Sequence, residues 1–268
     1  MSEFFRQESG KLNSVLTKLL GIRHIDVAND IVQDSLLKAM NYWSYKGIPE
    51  NPTAWLYKVA RNKAIDYLRR QQKFAEISPA LQSQQGTSTE LEHFFLPQEI
   101  EDSQLRMIFA CCHPSIPEES SIALVLKTLC GLNVVEIARA FLSSEDTIAK
   151  RIYRAKEKIK TEGIDLEIPT RESLPERLEA VLKSVYLLFN EGYNSSHPEQ
   201  LIRKDLCQEA IRLAFLLTHQ STTRLPRTFA LLALMHFQAS RFDSRIDSEG
   251  NIILLRDQDR TTWNRPLI

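Results

Sequence analysis

Apolar residues along this chain recur every three or four positions, not every two. Ile148, Ile152, Ala155 and Ile159 fall at i, i+4, i+7 and i+11, one stripe of a helix. Leu56, Val59, Ala60 and Ala64 form a second stripe, and Leu178, Val181, Leu182, Val185, Leu188 and Phe189 a third. Val, Ile and Thr do not alternate over long stretches, and Gly and Pro sit mostly between the periodic runs. The pattern predicts a chain that is nearly all helix.

The breaks divide the chain into blocks. Residues 1–73 carry amphipathic helices and end in a basic run. Residues 74–99 are rich in Gln, Ser and Thr with little periodicity, and are expected to form a flexible linker. Residues 100–163 make a second helical block with its own basic end. Residues 170–268 hold three apolar helices, expected over 175–189, 201–217 and 225–237, each with an amphipathic core stripe. A tail follows in which 252–255 could pair as a short strand. In the polar knot 190–194, Gly192 is read as a helix C-cap, with a contact to the preceding blocks as the alternative.

Within the second block Gly131 ends one helix. A short helix over 134–142 follows, burying Ile137, Ala138 and Phe141. Residues 142–144 form a turn, and Ser143-x-x-Asp146 fits a capping box that opens a third helix. This is a helix-turn-helix. Thr147, Lys150, Arg151, Tyr153, Arg154 and Lys158 lie off the third helix's apolar stripe. From Lys150 to Lys160 six basic residues stand against one acid, Glu157. Such a face suits a recognition helix in a DNA major groove. Glu145 and Asp146 complement the helix dipole but repel phosphate, so docking must keep them off the DNA backbone.

The first block ends in a helix opened by Pro52 and Thr53. Trp55, Lys58, Asn62, Asp66 and Arg69 share one side of it, opposite Leu56, Val59, Ala60 and Ala64. Lys63, Arg70 and their neighbours bring the tally from Tyr57 to Lys73 to six bases and one acid. Aromatics, amides and cations on one face suit single-stranded DNA, and an amide such as Asn62 could read a flipped base. Upstream, Asp30, Gln33 and Asp34 are displayed together. An acidic polar face on such a chain points to docking on a protein.

Composition changes this picture little. At 268 residues there is room for about two domains. The 34 basic and 34 acidic residues cancel, which hides the two local basic helices. No apolar run reaches the roughly 18 residues of a membrane span, and the N-terminus lacks a signal core. A cytoplasmic chain without membrane contact is expected. Cys111, Cys112, Cys130 and Cys207 show no CxxC spacing and are expected to be reduced and buried. Cys111-Cys112-His113 lacks a second ligand pair at finger spacing, so no metal is assigned. Phosphate-loop, HExxH, GxSxG and glycine-rich nucleotide motifs are not found, and the six histidines are scattered. No catalytic residue and no cofactor are assigned, and the chain is not expected to be an enzyme.

DIVQDSLLKA followed by NPTAWLYKVARNKAIDYLRR resembles region two of the extracytoplasmic-function sigma factors. GLNVVEIARAFLSSEDTIAKRIYRAKEKI resembles their region four. Order and linker also match, and the likeness covers residues 1 to about 163. It implies a non-enzymatic subunit that directs core RNA polymerase to promoter DNA. The implied fold is all-α: a region-two bundle, a linker, a region-four helix-turn-helix and an additional helical C-terminal domain. Asp30, Gln33 and Asp34 would grip the β′ clamp helices, while region four would meet the β flap. Tyr45, Asn62, Lys63 and Asp66 match positions around the pocket for the melted −10 element. Lys150, Tyr153 and Arg154 match readers of the −35 element, whereas Ala149 stands where several relatives place a basic reader.

FACCHPSIPEES, VLKSVYLLFNEGYNSS, DLCQEAIRLAFLL and LRDQDRTTWNRPLI resemble a subgroup with a helical C-terminal extension. Its members usually continue into further helical repeats, so this chain is a short member or part of a longer one. The extension, 170–268, is expected to contact the sigma regions in cis and regulate them. The rival reading is a helix-turn-helix regulator with a ligand- or protein-sensing C-terminal domain, binding duplex operators without polymerase.

Overall fold

Helix follows helix through the computed structural model, which describes residues 2–76, 92–170, 172–195, 201–247, 249 and 251–268. Among these residues the α-helices are α1 (Ser2–Leu20), α2 (Ile25–Lys46), α3 (Pro52–Glu76), α4 (Pro97–Cys111) and α5 (Glu118–Thr128). Then come α6 (Val134–Ala140), α7 (Glu145–Glu162), α8 (Leu174–Tyr193), α9 (Lys204–His219) and α10 (Pro226–Ala239). The all-α expectation holds. The expected strand over 252–255 does not form: one antiparallel bridge joins Ile246 to Ile252, and Leu255–Asp257 is a 3-10 turn. The Asp247 carboxylate takes the backbone N–H groups of Glu249 and Asn251 and closes the turn tightly. The Gln258 side chain then donates to the Ile253 carbonyl, leaving no second ladder pair.

The chain divides into two units. The first comprises Met1–Asn133 and Ala149–Ile168, the second Val134–Ile148 and Pro169–Ile268. In the first, α1, α2 and α3 enclose a core of Leu12, Leu16, Leu20, Ala28, Ile31, Val32, Ala39, Trp43, Leu56, Ala60 and Ala64. Burial of such side chains contributes about 1.5–3 kcal/mol for each large one, and this holds the bundle together. Asn51 starts α3, its Oδ1 accepting from the Ala54 N–H at 2.9 Å, with Pro52 in the first turn, where a missing N–H does no harm. The expected linker is shorter than its composition implies. Residues 74–76 belong to α3 and Pro97 opens α4. Residues 92–96 are anchored by Arg61–Glu92 (2.6 Å), by the Tyr57–Phe95 ring pair and by Lys18 over the Phe94 ring. The remainder, 77–91, lies outside the described residues.

In the second unit α8 and α9 pack at very close range. Gly192 is not a C-cap; it lies inside α8. A Cβ there would sit 2.7 Å from the Cys207 sulfur and 2.8 Å from the Arg203 carbonyl oxygen, so the residue is fixed by space. The Arg203 N–H donates to the Gly192 carbonyl at 2.7 Å, tying the entry of α9 to the end of α8. Tyr193 and Asn194 are held from the tail side: the Arg245 guanidinium stacks 3.5 Å from the Tyr193 ring and donates to the Tyr193 carbonyl and to Asn194 Oδ1. The third apolar helix departs from expectation. α10 buries Thr228, Met235 and Ala239, while Phe229, Leu234 and Phe237 stay about half exposed. Its apolar residues surround the axis, so periodicity does not select a face. All four cysteines are free and buried. Burial pushes the Cys111 and Cys207 thiols up to about 12, as expected of inert core sulfurs.

Candidate protein and nucleic-acid interfaces

The apolar stripe of α2 turns Ile31, Val32, Ser35, Ala39 and Trp43 inward. Helical geometry then forces Asp30, Gln33 and Asp34 outward, and all three are exposed. The same outward stripe continues one, two and three turns on as Leu37 and Lys38, then Asn41, then Tyr45. Leu37, Met40, Tyr45 and Ile48 stand 53–89% exposed beside it. An acidic end thus runs into exposed apolar and aromatic side chains, a combination that protein interfaces favour. Leu37, Lys38 and Asn41 were missed in the sequence, although the i+3/i+4 continuation from Asp34 carries the signal.

Across from this stripe lies α3. An open groove of about 530 Å³ is lined by Asp34, Leu37, Lys38, Asn41, Tyr42, Tyr45 and Lys63. Lys63 crosses it to Asp34, Nζ to Oδ2, at 2.9 Å. Two residues expected to serve different partners are therefore an ion pair. Lys58, Asn62, Asp66, Arg69 and Arg70 are exposed along α3, opposite the buried Leu56, Ala60 and Ala64. Arg70 Nε donates to the Asp66 carbonyl at 3.1 Å. Trp55 departs from the expectation of a free stacking platform. Its ring stacks on Tyr42 at 5.4 Å and meets Trp43 edge-on at 5.5 Å, so it braces α3 against α2. Of the two tyrosines at the groove, Tyr45 is the more open, at 89% exposed against 47% for Tyr42.

The second basic helix is α7. Its stripe is buried as expected: Ile148, Ile152, Ala155 and Ile159 are at most 7% exposed. Lys150, Tyr153 and Arg154 are exposed together on the other side. The turn before α7 closes on Leu142, a non-glycine residue at φ 49°, with Leu142 N–H to Arg139 O and Ser143 N–H to Ala138 O. These two bonds satisfy the last carbonyls of α6. The α7 helix starts at Glu145, so its cap falls one residue after the Ser143 of the expected Ser143–Asp146 capping box. Ser144 is the cap instead: its Oγ accepts from the Thr147 N–H at 3.2 Å and lies 2.8 Å from Thr147 Oγ1. Thr147 is thus engaged in the cap. Arg151 pairs with Glu119 of α5 and Lys158 with Glu162.

Two further α7 lysines are not free cations either. Lys156 and Lys160 both donate to Asp26, at 2.8 and 2.7 Å. Partial burial pushes the Asp26 carboxyl up, but the hydrogen bonds and charges of the two lysines outweigh it and hold the group below the usual carboxylate range. In the second unit a buried pair reaches α6: Arg203 Nη1 lies 2.7 Å from Glu136 Oε1, with the side chains 3% and 12% exposed. Asp205 stands 3.8 Å from the same guanidinium. Among the described residues no cluster of three His, Cys, Asp or Glu is arranged to hold a metal ion, and no helix is long and apolar enough to cross a membrane.

Comparison with known proteins gives three family matches. Sigma-70 region 2 covers residues 4–74, sigma-70 region 4 covers 106–159, and a family of unknown function (DUF6596) covers 177–268. The chain is 39% identical over 248 residues to an uncharacterised protein of Rhizobium meliloti (strain 1021), a match spanning 92% of this chain but 58% of that protein. It is 31% identical over 155 residues to the ECF RNA polymerase sigma-E factor of Haemophilus influenzae, covering 56% of this chain and 79% of that protein. The ECF RNA polymerase sigma-E factor of Escherichia coli (strain K12) is 31% identical over 140 residues, covering 48% and 70%. No solved structure matches the chain.

Proposed function

The chain belongs to the extracytoplasmic-function RNA polymerase sigma factors, which serve transcription initiation, and from this premise we propose how its surfaces divide the work. The outward stripe of α2, from Asp30, Gln33 and Asp34 to Leu37, docks on the β′ clamp helices of core polymerase. The exposed side of α3, with Tyr45 at the groove, holds the melted −10 strand: Asn62 reads a flipped base, and Lys58, Lys63, Arg69 and Arg70 neutralise its backbone. Lys150, Tyr153 and Arg154 of α7 read the −35 duplex, with phosphate contacts fixing the register, and region four meets the β flap. No step in this scheme breaks a covalent bond; the chain works by binding, in the cytoplasm where polymerase is.

The observation that carries the reading is the groove between α2 and α3. The stripe proposed for docking and the face proposed for strand binding share its two walls, and the Lys63–Asp34 pair joins those walls. The third surface is the C-terminal extension, 170–268. Its contact with region four in cis is supported by the buried Arg203–Glu136 pair, since Glu136 lies in the short helix of the helix-turn-helix. The test separates the walls. Asp34→Arg should lower affinity for core polymerase by roughly tenfold or more, as expected of a reversed charge in an interface. Asn62→Ala should leave core affinity within about twofold and reduce open-complex formation roughly tenfold, the worth of one good base contact. If both variants lose both properties equally, α2 and α3 do not divide the work.

A further inference from the structure

The polar knot 190–194 and the tail after α10 have no part in promoter recognition, yet the second unit brings them together. The Arg245 guanidinium lies 3.5 Å from the centre of the Tyr193 ring. Arg241 lies 5.8 Å from the same ring and 6.0 Å from the ring of Trp263. Arg260 stands over Trp263 at 5.8 Å. Three guanidinium groups thus gather round two aromatic rings, which their positive charge favours.

These cations lack a counter-charge. Arg245 is only 6% exposed, and its hydrogen bonds go to neutral acceptors, the Tyr193 carbonyl and Asn194 Oδ1. Arg241 donates to the Tyr193 hydroxyl at 2.5 Å and to Gln238 Oε1. Among the described residues no carboxylate pairs with Arg241, Arg245 or Arg260. The acids of the tail are engaged elsewhere: Asp243 by Lys204, Asp257 by Arg256, Asp247 and Asp259 by backbone N–H groups of their own turns. Burial pushes the Arg245 guanidinium below its ordinary value, and the neighbouring Arg241 charge pushes the same way. A buried guanidinium ordinarily needs an anion beside it, as Arg203 has Glu136 in the same unit. One more donor is unmatched: Trp263 Nε1 is buried without an acceptor, and an indole N–H can only donate.

We propose that Arg241, Arg245, Arg260 and Trp263 of the C-terminal extension form a binding site for a phosphate group, either the free ion or a monoester on a small molecule. Guanidinium groups offer paired donors to an oxyanion, and the indole N–H adds one more. Charge selects phosphate over carboxylate. A single carboxylate would leave one of the adjoining Arg241 and Arg245 cations unbalanced, whereas a phosphate of about −1.5 to −2 balances both. Arg260 is exposed, and Arg241 and Trp263 are partly exposed, which gives access from solvent. No residue of α2, α3 or α7 takes part, so the site is independent of the promoter reading.

The three tryptophans, Trp43, Trp55 and Trp263, each give one indole N–H resonance in the isotope-labelled full chain, and Trp263→Phe identifies the third. Inorganic phosphate, titrated against chloride at constant ionic strength, should move the Trp263 resonance and leave those of Trp43 and Trp55 in place. Arg260→Gln changes an exposed side chain and should weaken phosphate binding roughly tenfold, about the worth of one charge-assisted hydrogen bond. Arg241→Lys keeps the charge but removes the fork, and should weaken it by a similar factor. Arg245→Gln should abolish the response. Should that variant fail to fold, the Arg260 and Arg241 variants decide. Ribose 5-phosphate in place of the inorganic ion separates the two sources: binding at least tenfold tighter supports an ester ligand, and equal or weaker binding supports the free ion. A Trp263 resonance unmoved at tens of millimolar phosphate, an equal movement with chloride, or unchanged affinity in both Arg260→Gln and Arg241→Lys overturns the site.

Discussion

Two ion-pair sites join distant segments of this chain, and they differ in kind. Arg203–Glu136 in the second unit is almost wholly buried, with exposures of 3% and 12%. Asp26 with Lys156 and Lys160 in the first unit is partly open, the Asp26 side chain being 47% exposed. A buried guanidinium cannot be left without its carboxylate, because removing one partner costs about 3–5 kcal/mol. A half-exposed carboxylate released into water loses at most about 1 kcal/mol per pair. Breaking the first is thus costly and breaking the second cheap.

The largest expected effect comes from the buried pair. Glu136→Ala should destabilise the full chain by about 3 kcal/mol, seen as a clear fall in the thermal midpoint, partly relieved by Asp205 taking up the guanidinium. Asp26→Ala should cost under about 1 kcal/mol. Equal falls for the two variants would erase the distinction between the buried and the exposed pair.

A smaller effect concerns acidity. Asp26 faces Lys156 and Lys160, with Glu157 beside Lys160; Asp102 faces Lys18 and Arg106, with Glu99 alongside. For Asp102, as for Asp26, partial burial raises the carboxyl but hydrogen bonds and charges from Arg106 and Lys18 lower it more. Both folded values therefore lie below the ordinary 3.8. A depressed carboxyl contributes stability that is complete above the unfolded value and fades as pH falls through the folded one. The thermal midpoint should hold at neutral pH and fall as pH drops below about 4, with a flatter profile in Asp26→Asn. A profile identical in the two chains would remove Asp26 from the acid dependence.

Much of this was legible in the sequence, and the exceptions share a cause. Stripes such as Ile148-Ile152-Ala155-Ile159 name a helix and its buried side at once, because a 3.6-residue period has one solution. The exposure of Asp30, Gln33, Asn62 and Arg154 follows from the same period. Short-range details slipped by a residue: Ser143 and Ser144 are equally good caps, and only the turn's hydrogen bonds choose between them. Gly192 reads as a cap until α9 is seen pressed against it. Trp55 reads as a stacking ring until Tyr42 covers it. The Asp26–Lys156 and Arg203–Glu136 pairs lie 130 and 67 residues apart, and no local pattern encodes a partner at that distance.

The central claim is that this chain directs polymerase to promoters. Run-off transcription with purified core polymerase, the full chain and a promoter library tests it most directly. Discrete transcripts that depend on the chain, from templates sharing a −35 and a −10 element, are the predicted result. Binding to duplex DNA without core polymerase, and no chain-dependent transcript from any template, would contradict it and favour a helix-turn-helix regulator.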